Sequence, residues 1–97
     1  MTRQDAIDAN RRPELNPIFL FRWEATQEAF VLLYPEGVVK LNPTAGEILR
    51  RCDGEHSVTD LLQELQTVFV ETPERVADGV LKFLEVSYAK GWIRDRA

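Results

Sequence analysis

Apolar and polar residues alternate along three short segments in the first half of the chain, residues 17–23, 28–34 and 38–41. A period of two is typical of β-strands, whose successive side chains point to opposite faces. Residues 24–27 suit a hairpin loop, and the sequence Pro35, Glu36, Gly37 suits a tight turn. The pattern therefore predicts a small antiparallel meander of three strands.

Both faces of the first two predicted strands carry large apolar side chains. Ile18 and Leu20 alternate with Phe19, Phe21 and Trp23. An antiparallel sheet with one face in water normally shows one polar face. A second cover is therefore expected over this sheet, supplied by the N-terminal arm, by a second copy of the chain or by a partner protein.

From residue 43 onward the apolar residues recur with the 3.6-residue period of α-helices. Three helices are predicted, over residues 43–52, 58–69 and 73–90. Asn42, Ser57 and Thr72 stand where N-caps are needed, and each is a favoured capping residue. Gly54 and Gly91 are placed to end the first and third helices. The predicted fold is α+β and winged-helix-like, a three-stranded antiparallel meander followed by three helices.

Length and composition indicate one small globular domain. The chain has 97 residues, of which 44% are hydrophobic and 29% charged. We expect residues 1–16, which are polar, to form a flexible arm, and residues 17–97 to form the folded domain. No apolar run approaches the ~18 residues of a membrane span, and the N-terminus lacks the apolar core of a secretory signal. A cytoplasmic location without membrane attachment is expected.

The sequence offers little reactive chemistry. Its single cysteine, Cys52, lies on the apolar stripe of the first helix and is predicted to be a buried structural thiol. The single histidine, His56, is separated from it by a helix-breaking Asp53 and Gly54, and we interpret it as a loop residue. One cysteine and one histidine exclude an internal disulfide and a cysteine-based or histidine-paired metal site. No catalytic, cofactor-binding or metal-binding residue is predicted, so the protein is not expected to be an enzyme.

The charge pattern disfavours nucleic-acid binding. The formal net charge is −4, and the second predicted helix carries Asp60 and Glu64 but no basic residue. A recognition helix that enters the major groove needs basic residues on its outer face. A winged-helix DNA-binding regulator is kept as an alternative, together with a purely structural homodimer.

The third strand and the third helix together suggest a peptide-binding groove. The strand is last in its meander, so one edge is expected to be free, and a free edge is a template for another extended chain. One flank of the helix mixes basic and apolar residues around a mid-helix glycine, which either packs closely on a neighbour or forms the floor of a groove. The predicted peptide-binding residues are Val38, Val39, Lys40 and Leu41 of the strand and Arg75, Gly79, Lys82, Phe83 and Val86 of the helix.

The chain resembles the PqqD family in an ordered set of short motifs. These run from Arg12-Pro13-x-Leu15 through Leu33-x-Pro35-Glu36 and Leu41-Asn42-x-x-Ala45-x-x-Ile48-Leu49 to Cys52-Asp53-Gly54. The similarity extends from about Arg12 to Ile93.

The resemblance implies a peptide chaperone of pyrroloquinoline quinone biosynthesis, related to the recognition domains used for ribosomally made, modified peptides. Such a protein binds the precursor peptide PqqA and presents it to the radical SAM enzyme PqqE. In the family the peptide lies against the third strand and third helix. Iron–sulphur clusters and S-adenosylmethionine would belong to PqqE, so no cofactor is expected here.

Overall fold

A computed structural model describes residues 8–96 of the chain. The strands and helices, in chain order, are β1 Pro13–Leu15, β2 Leu20–Glu24, β3 Ala29–Tyr34, β4 Gly37–Lys40, α1 Pro43–Leu49, α2 Val58–Val68, α3 Pro73–Ala89 and β5 Ile93–Asp95. Strands β2, β3 and β4 form an antiparallel sheet in that order. The predicted α+β fold, a three-stranded meander followed by three helices, is confirmed.

The helices pack against one face of this sheet and enclose the hydrophobic core. Leu32 from β3 and Leu41, just after β4, are at most 5% exposed and join a cluster with side chains from all three helices. These helix residues include Ile48, Leu61 and Leu84, each fully buried. Because Leu32 pairs with Phe21 and Val39 across the sheet, these three side chains share the helix-facing side.

The opposite face of the sheet, called the outer face below, is open to solvent except at Val31, which is 1% exposed and pairs with Arg22 and Lys40. Leu20, Leu33 and Val38 form one cross-strand row on it. Leu20 is 56% exposed and Val38 is 52% exposed. For Leu20 and Val38, the expected second cover is therefore not supplied by any part of residues 8–96.

A second sheet, which the sequence pattern did not predict, joins the two ends of the chain. Strand β1 pairs antiparallel with β5, with Glu14 opposite Arg94. Each strand has only three residues, which is too short for an alternation of apolar and polar residues to be recognised in the sequence. Their partners are also about eighty residues apart in sequence, so only the tertiary fold brings them together.

Residues 1–16 were expected to form a flexible arm. Within this segment, residues 8–16 are instead hydrogen-bonded to the rest of the domain, and residues 1–7 lie outside the described part of the chain. The N–H of Leu15 donates to the carbonyl of Cys52 at 3.0 Å, and the N–H of Asn16 donates to that of Trp92 at 2.8 Å. The N–H of Val58 donates to the carbonyl of Arg11 at 2.9 Å. This segment is an integral part of the domain.

The helix ends follow the predicted signals in part. Gly91 has φ +77° and closes α3, because the N–H of Trp92 reaches the carbonyl of Ser87 and the N–H of Gly91 reaches that of Tyr88. The predicted role of Gly54 is wrong, since α1 ends at Leu49. The chain leaves α1 through i to i+3 bonds, so Gly54, with φ +79°, lies in the following loop.

Candidate functional site

The outer edge of β4 is unpaired, since no other strand within residues 8–96 lies beside it. The N–H of Leu41 donates to the carbonyl of Phe30 at 3.0 Å, which makes these two residues a hydrogen-bonded pair. Hydrogen bonding alternates along an antiparallel ladder, so the main chain of Val39 also faces β3. The N–H and C=O groups of Val38 and Lys40 consequently point to the free edge.

Helix α3 presents a continuous stripe of side chains along one flank. Arg75, Gly79, Phe83, Val86 and Lys90 follow each other at spacings of three or four residues, which places them on the same side of the helix. Phe83 is partly buried against the core, whereas Val86 is 46% exposed. The stripe therefore has an apolar centre with a cation at each end.

Two cavities lie at the two ends of this stripe, one beside β4 and one beside the start of α1. The first, of about 290 Å³, is lined by Phe19, Tyr34, Val39, Lys90 and Trp92. The second, of about 330 Å³, lies at the other end of the helix and is lined by Thr44, Phe69, Val70, Glu71, Arg75, Val76, Gly79 and Val80. Val39 of β4 thus lies near the C-terminal end of α3, whereas the second cavity lies between the starts of α1 and α3. The free edge of β4, the two cavities and the stripe are together called the groove below.

Gly79 lies in the second cavity and packs against nothing. A Cβ atom built on Gly79 would have no heavy atom within 4 Å, apart from its own helix backbone. The interpretation of Gly79 as a close-packing glycine is therefore wrong. Its missing side chain leaves open space on the groove side of α3.

Of the predicted peptide-binding residues, Val39, Arg75 and Gly79 line these two cavities, whereas Leu41 lies in the core. The Leu41 side chain is 5% exposed within the hydrophobic core, and its N–H is already bonded to Phe30. Leu41 is therefore not available to a peptide that pairs with the free edge of β4. Lys82 is exposed and pairs with Asp78 at 3.3 Å, one turn earlier on α3.

The groove carries positive charge on a protein whose net charge is −4. Lys40 and Arg75 are exposed and have no ion-pair partner among residues 8–96. The Lys90 ammonium lies 5.8 Å from the centre of the Trp92 ring, within the range of a cation–π contact. These cations favour an acidic ligand.

Sequence reasoning missed the aromatic end of the groove. Trp92 packs on Phe83, with ring centroids 6.2 Å apart, and Phe19 packs on Tyr34 at 5.5 Å. The signal for Trp92 was its place directly after Gly91, because a glycine-closed helix turns the chain back across its own last turn. The signal for Phe19 was weaker, since it lies before β2 in a turn.

The cysteine and the histidine are structural. Cys52 is buried, as predicted, and burial raises the pKa of its thiol to about 12, far from that of a reactive thiolate. His56 lies 3.0 Å from Asp53 and 2.7 Å from Glu64, and the hydrogen bond to Asp53 is the main reason that its pKa is raised. Within the described residues no group of three or more His, Cys, Asp or Glu side chains is arranged to hold a metal ion.

Comparison with known proteins gives a consistent result. Residues 29–93 match the profile of the family described as coenzyme PQQ synthesis protein D, PqqD. A protein of Pseudomonas entomophila named PqqA binding protein is 43% identical over 88 residues, which cover 91% of this chain and 96% of that one. A protein of the same name from Methylococcus capsulatus is 38% identical over 82 residues, covering 84% of this chain and 86% of that one.

The fold matches a solved structure as well. It superposes with a TM-score of 0.74 on the solution NMR structure of the PqqD truncation of Methylobacterium extorquens PqqCD. The match covers 92% of this chain and 95% of the other at 24% sequence identity. That protein is described as a functional, stand-alone recognition element for ribosomally synthesised and modified peptides. In residues 8–96 no helix is long and apolar enough to cross a bilayer.

Proposed function

The chain belongs to the PqqD family, and from this we propose that it binds the precursor peptide PqqA by strand addition at β4 and presents it to the radical SAM enzyme PqqE in pyrroloquinoline quinone biosynthesis. The observation that carries the proposal is the unpaired edge of β4, and the two cavities along the α3 stripe support it. Strand addition to an exposed edge is a recurrent mode of peptide recognition.

The edge supplies affinity through main-chain hydrogen bonds. Val38 and Lys40 each direct one N–H and one C=O outward, so a guest strand gains four bonds if it pairs with both. Bonds of this kind contribute about 1 kcal/mol each after desolvation, which leaves selectivity to the side chains. The edge alone therefore accepts an extended peptide of almost any sequence.

The helix stripe supplies selectivity. A guest strand that continues the sheet turns every second side chain towards α3. Apolar side chains there would meet Val39, Phe83 and Trp92, and acidic ones would reach Arg75 or Lys90. We therefore propose that the preferred peptide alternates, with apolar residues at the centre and carboxylates near the ends.

Presentation to an enzyme is supported by the open outer face. The side chains of a guest strand that do not face α3 would continue the row of Leu20, Leu33 and Val38, which is exposed. The peptide would thus be held on one side and accessible from the other. The radical chemistry would belong to PqqE, and this chain would position the substrate.

Strand addition is tested by changing one main-chain donor. Proline at residue 40 removes an N–H that β3 does not use, and edge strands tolerate proline at such positions. Isothermal titration calorimetry with the PqqA peptide should show at least about tenfold weaker binding for Lys40→Pro. Lys40→Ala is the matched control, which removes the charge but keeps the N–H, and should weaken binding only about twofold.

Each outcome has a distinct meaning. If Lys40→Pro binds as tightly as the unchanged protein while its circular dichroism spectrum is native, strand addition at β4 is excluded. If Lys40→Ala loses as much as Lys40→Pro, the charge of Lys40 and not its main chain carries the contact. Absence of measurable heat for the unchanged protein would remove the peptide-binding proposal altogether.

A homodimer is the second candidate, favoured by the exposed apolar row of the outer face and by the free edge of β4. Pairing of two β4 edges would occupy the proposed peptide site, so peptide should dissociate such a dimer. Sedimentation velocity at several protein concentrations, with and without PqqA peptide, distinguishes the two. A constant monomer mass at all concentrations rules out the homodimer.

A further inference from the structure

A separate cavity of about 240 Å³ lies between the sheet and the start of α1, at the end of the sheet formed by the β2–β3 hairpin. Its lining residues are Trp23, Glu28, Ala29, Phe30, Leu41, Pro43 and Glu47. Trp23, Phe30 and Leu41 form one cross-strand row on the helix-facing side and make the apolar wall. None of these residues lines the two cavities of the peptide groove.

Trp23 is held in place yet half exposed. Its ring meets Phe30 edge to face, with centroids 5.1 Å apart and an angle of 72° between the planes. Phe30 in turn is stacked on Phe21, with ring centroids 4.8 Å apart, so the indole packs against one ring of a stacked pair. The side chain remains 52% exposed. An ordered indole with an open face is a favourable surface for a cation.

Two carboxylates border the cavity. Glu47 is ionised, because the hydrogen bond from Arg51 lowers the pKa of its carboxyl group. Arg50 and Arg51 both bond to its Oε1 atom, which leaves Oε2 without a hydrogen bond among the contacts of the described residues. The Glu28 carboxylate has no ion-pair partner in residues 8–96.

The backbone of Glu28 adds an independent observation. Glu28 is the only described residue other than glycine with a positive φ, at +51°. Glycine or asparagine is better tolerated in this left-handed conformation than a residue with a long side chain. This conformation belongs to the β2–β3 hairpin loop, in which the N–H of Glu28 donates to the carbonyl of Ala25 at 3.2 Å, and it fixes where the Glu28 side chain leaves the main chain beside the cavity.

We propose that this cavity binds the side chain of an arginine exposed on a partner protein. The planar guanidinium would stack on Trp23 and donate to Glu28 and to Oε2 of Glu47, and its methylene stem would contact Phe30 and Pro43. Arginine suits this better than lysine, because a flat, forked group can stack and bond to carboxylates at once. The volume fits one side chain. The inference does not depend on the peptide groove.

The proposed ligand is carried by a protein, because the cavity is proposed to contact only the side chain. The α-carboxylate of free arginine would be repelled by Glu28 and Glu47 and its α-ammonium attracted, so together these groups add no net attraction. The first test is an NMR titration that follows the indole N–H of Trp23, assigned with a Trp23→Phe variant. Acetyl-Gly-Arg-Gly-amide should give a saturable shift, and the same peptide with citrulline, which is neutral and of equal shape, should bind at least about tenfold more weakly.

Free L-arginine is the third ligand of this titration and should bind no more tightly than the capped peptide. Tighter binding of free arginine would overturn the assignment to a partner protein. A shift that does not saturate, or equal affinity for the citrulline peptide, would overturn the cation site.

Variants of two glutamates complete the test. Glu28→Asn removes the charge and relieves the backbone, so the melting temperature should rise while affinity for the arginine peptide falls about fivefold. Glu36→Gln removes a carboxylate at the opposite end of β3, outside the cavity, and should change neither. If the Glu28→Asn variant binds the arginine peptide with unaltered affinity, Glu28 is excluded from the site. The melting temperature of this variant shows whether it is folded.

Discussion

Two glycines lie within helices of this protein, and their surroundings are opposite. A Cβ atom on Gly46 of α1 would lie 2.6 Å from Cδ2 of Phe30, so the helix could not keep its present distance from the sheet. A Cβ atom on Gly79 of α3 would meet open space. Gly46 is therefore required by packing. Gly79 lowers the stability of its helix, and no close contact depends on its missing side chain.

Alanine at these two positions should therefore have opposite effects. Gly79→Ala should raise the free energy of unfolding by about 0.5–1 kcal/mol, since alanine is the better helix former. Gly46→Ala should lower it by about 1–3 kcal/mol, because Phe30 must shift in a filled core. Urea denaturation of the two variants measures both values. Stabilisation by Gly46→Ala would show that Phe30 moves aside freely.

The larger variant Gly79→Leu tests the groove itself. Open space at Gly79 allows the longer side chain without unfolding, but the side chain would occupy the cavity beside Arg75 and Val76. Calorimetry should show at least about tenfold weaker binding of the PqqA peptide, with Gly79→Ala as the size control. Unchanged affinity of Gly79→Leu would place the peptide elsewhere.

His56 makes the stability depend on pH. Its ring lies between the carboxylates of Asp53 and Glu64, and its pKa in the folded protein is raised above the ordinary 6.5. The folded state therefore holds the proton more tightly than the unfolded state does. This stabilisation is fully present below about pH 6.5 and is lost as the pH rises through the folded-state pKa.

The variant His56→Gln isolates this effect, because it removes the titrating ring and keeps a polar side chain. The loss of unfolding free energy relative to the unchanged protein should be larger at about pH 6 than at about pH 9. Urea denaturation at the two pH values measures it. An equal loss at both would mean that the imidazolium form is not favoured by folding.

At the scale of the elements, two of the three N-cap side chains were predicted correctly. The N–H of Ala45 donates to Asn42 Oδ1 at 2.7 Å, and Ser57 and Asp60 form a reciprocal capping box. Thr72 stands at the N-cap of α3, but its side chain makes no capping bond. A residue type marks where a helix begins, whereas the rotamer that caps it depends on the neighbouring structure.

The two hydroxyl caps therefore provide a matched pair of substitutions. Ser57→Ala should lower the free energy of unfolding by about 1 kcal/mol, because it leaves the N–H of Asp60 without its acceptor. Thr72→Ala should stay within about 0.5 kcal/mol, since no capping bond is lost. Thermal and urea denaturation give both values. Equal losses would show that Thr72 caps α3 in solution.

At the scale of the whole molecule, the β1–β5 sheet ties the chain ends to the core and to the groove. Ile93 is 2% exposed and belongs to the core cluster, while the preceding Trp92 lines the groove. The main chain of Asn16 bonds to Trp92, and its side chain bonds to the carbonyl of Gly91 at 3.1 Å. The N-terminal segment therefore positions one wall of the candidate peptide site.

Alanine substitutions at two isoleucines compare a buried side chain, that of Ile93, with an exposed one, that of Ile18. Ile93→Ala should lower the free energy of unfolding by about 2–4 kcal/mol, because it opens a cavity in the core. Ile18→Ala should change it by less than about 0.5 kcal/mol, since Ile18 is 61% exposed. Urea denaturation compares them. A small effect at Ile93 would show that the β1–β5 sheet contributes little to stability.

The candidate site was predicted only in outline. Periodicity placed Val38, Lys40 and the stripe of α3 on surfaces. Val38 and Lys40 are exposed, and Arg75 and Gly79 line a cavity, whereas Phe83 is partly buried against the core. It also assigned Leu41 to the peptide, although the helices bury that side chain. Trp92 was missed, because its position depends on the turn at Gly91 and on the pairing of β5 with β1.

By itself, the sequence determined the order and type of strands β2 to β4 and helices α1 to α3, and two of the three side-chain caps. It could do so because hydrophobic periods of 2 and 3.6 residues and capping preferences are local properties of the chain. Tertiary structure decided that Leu41 is buried, which glycine is packed, and that β1 pairs with β5. These features depend on contacts between residues far apart in sequence, and no local preference encodes the distance between Phe30 and Gly46 or between Pro13 and Asp95.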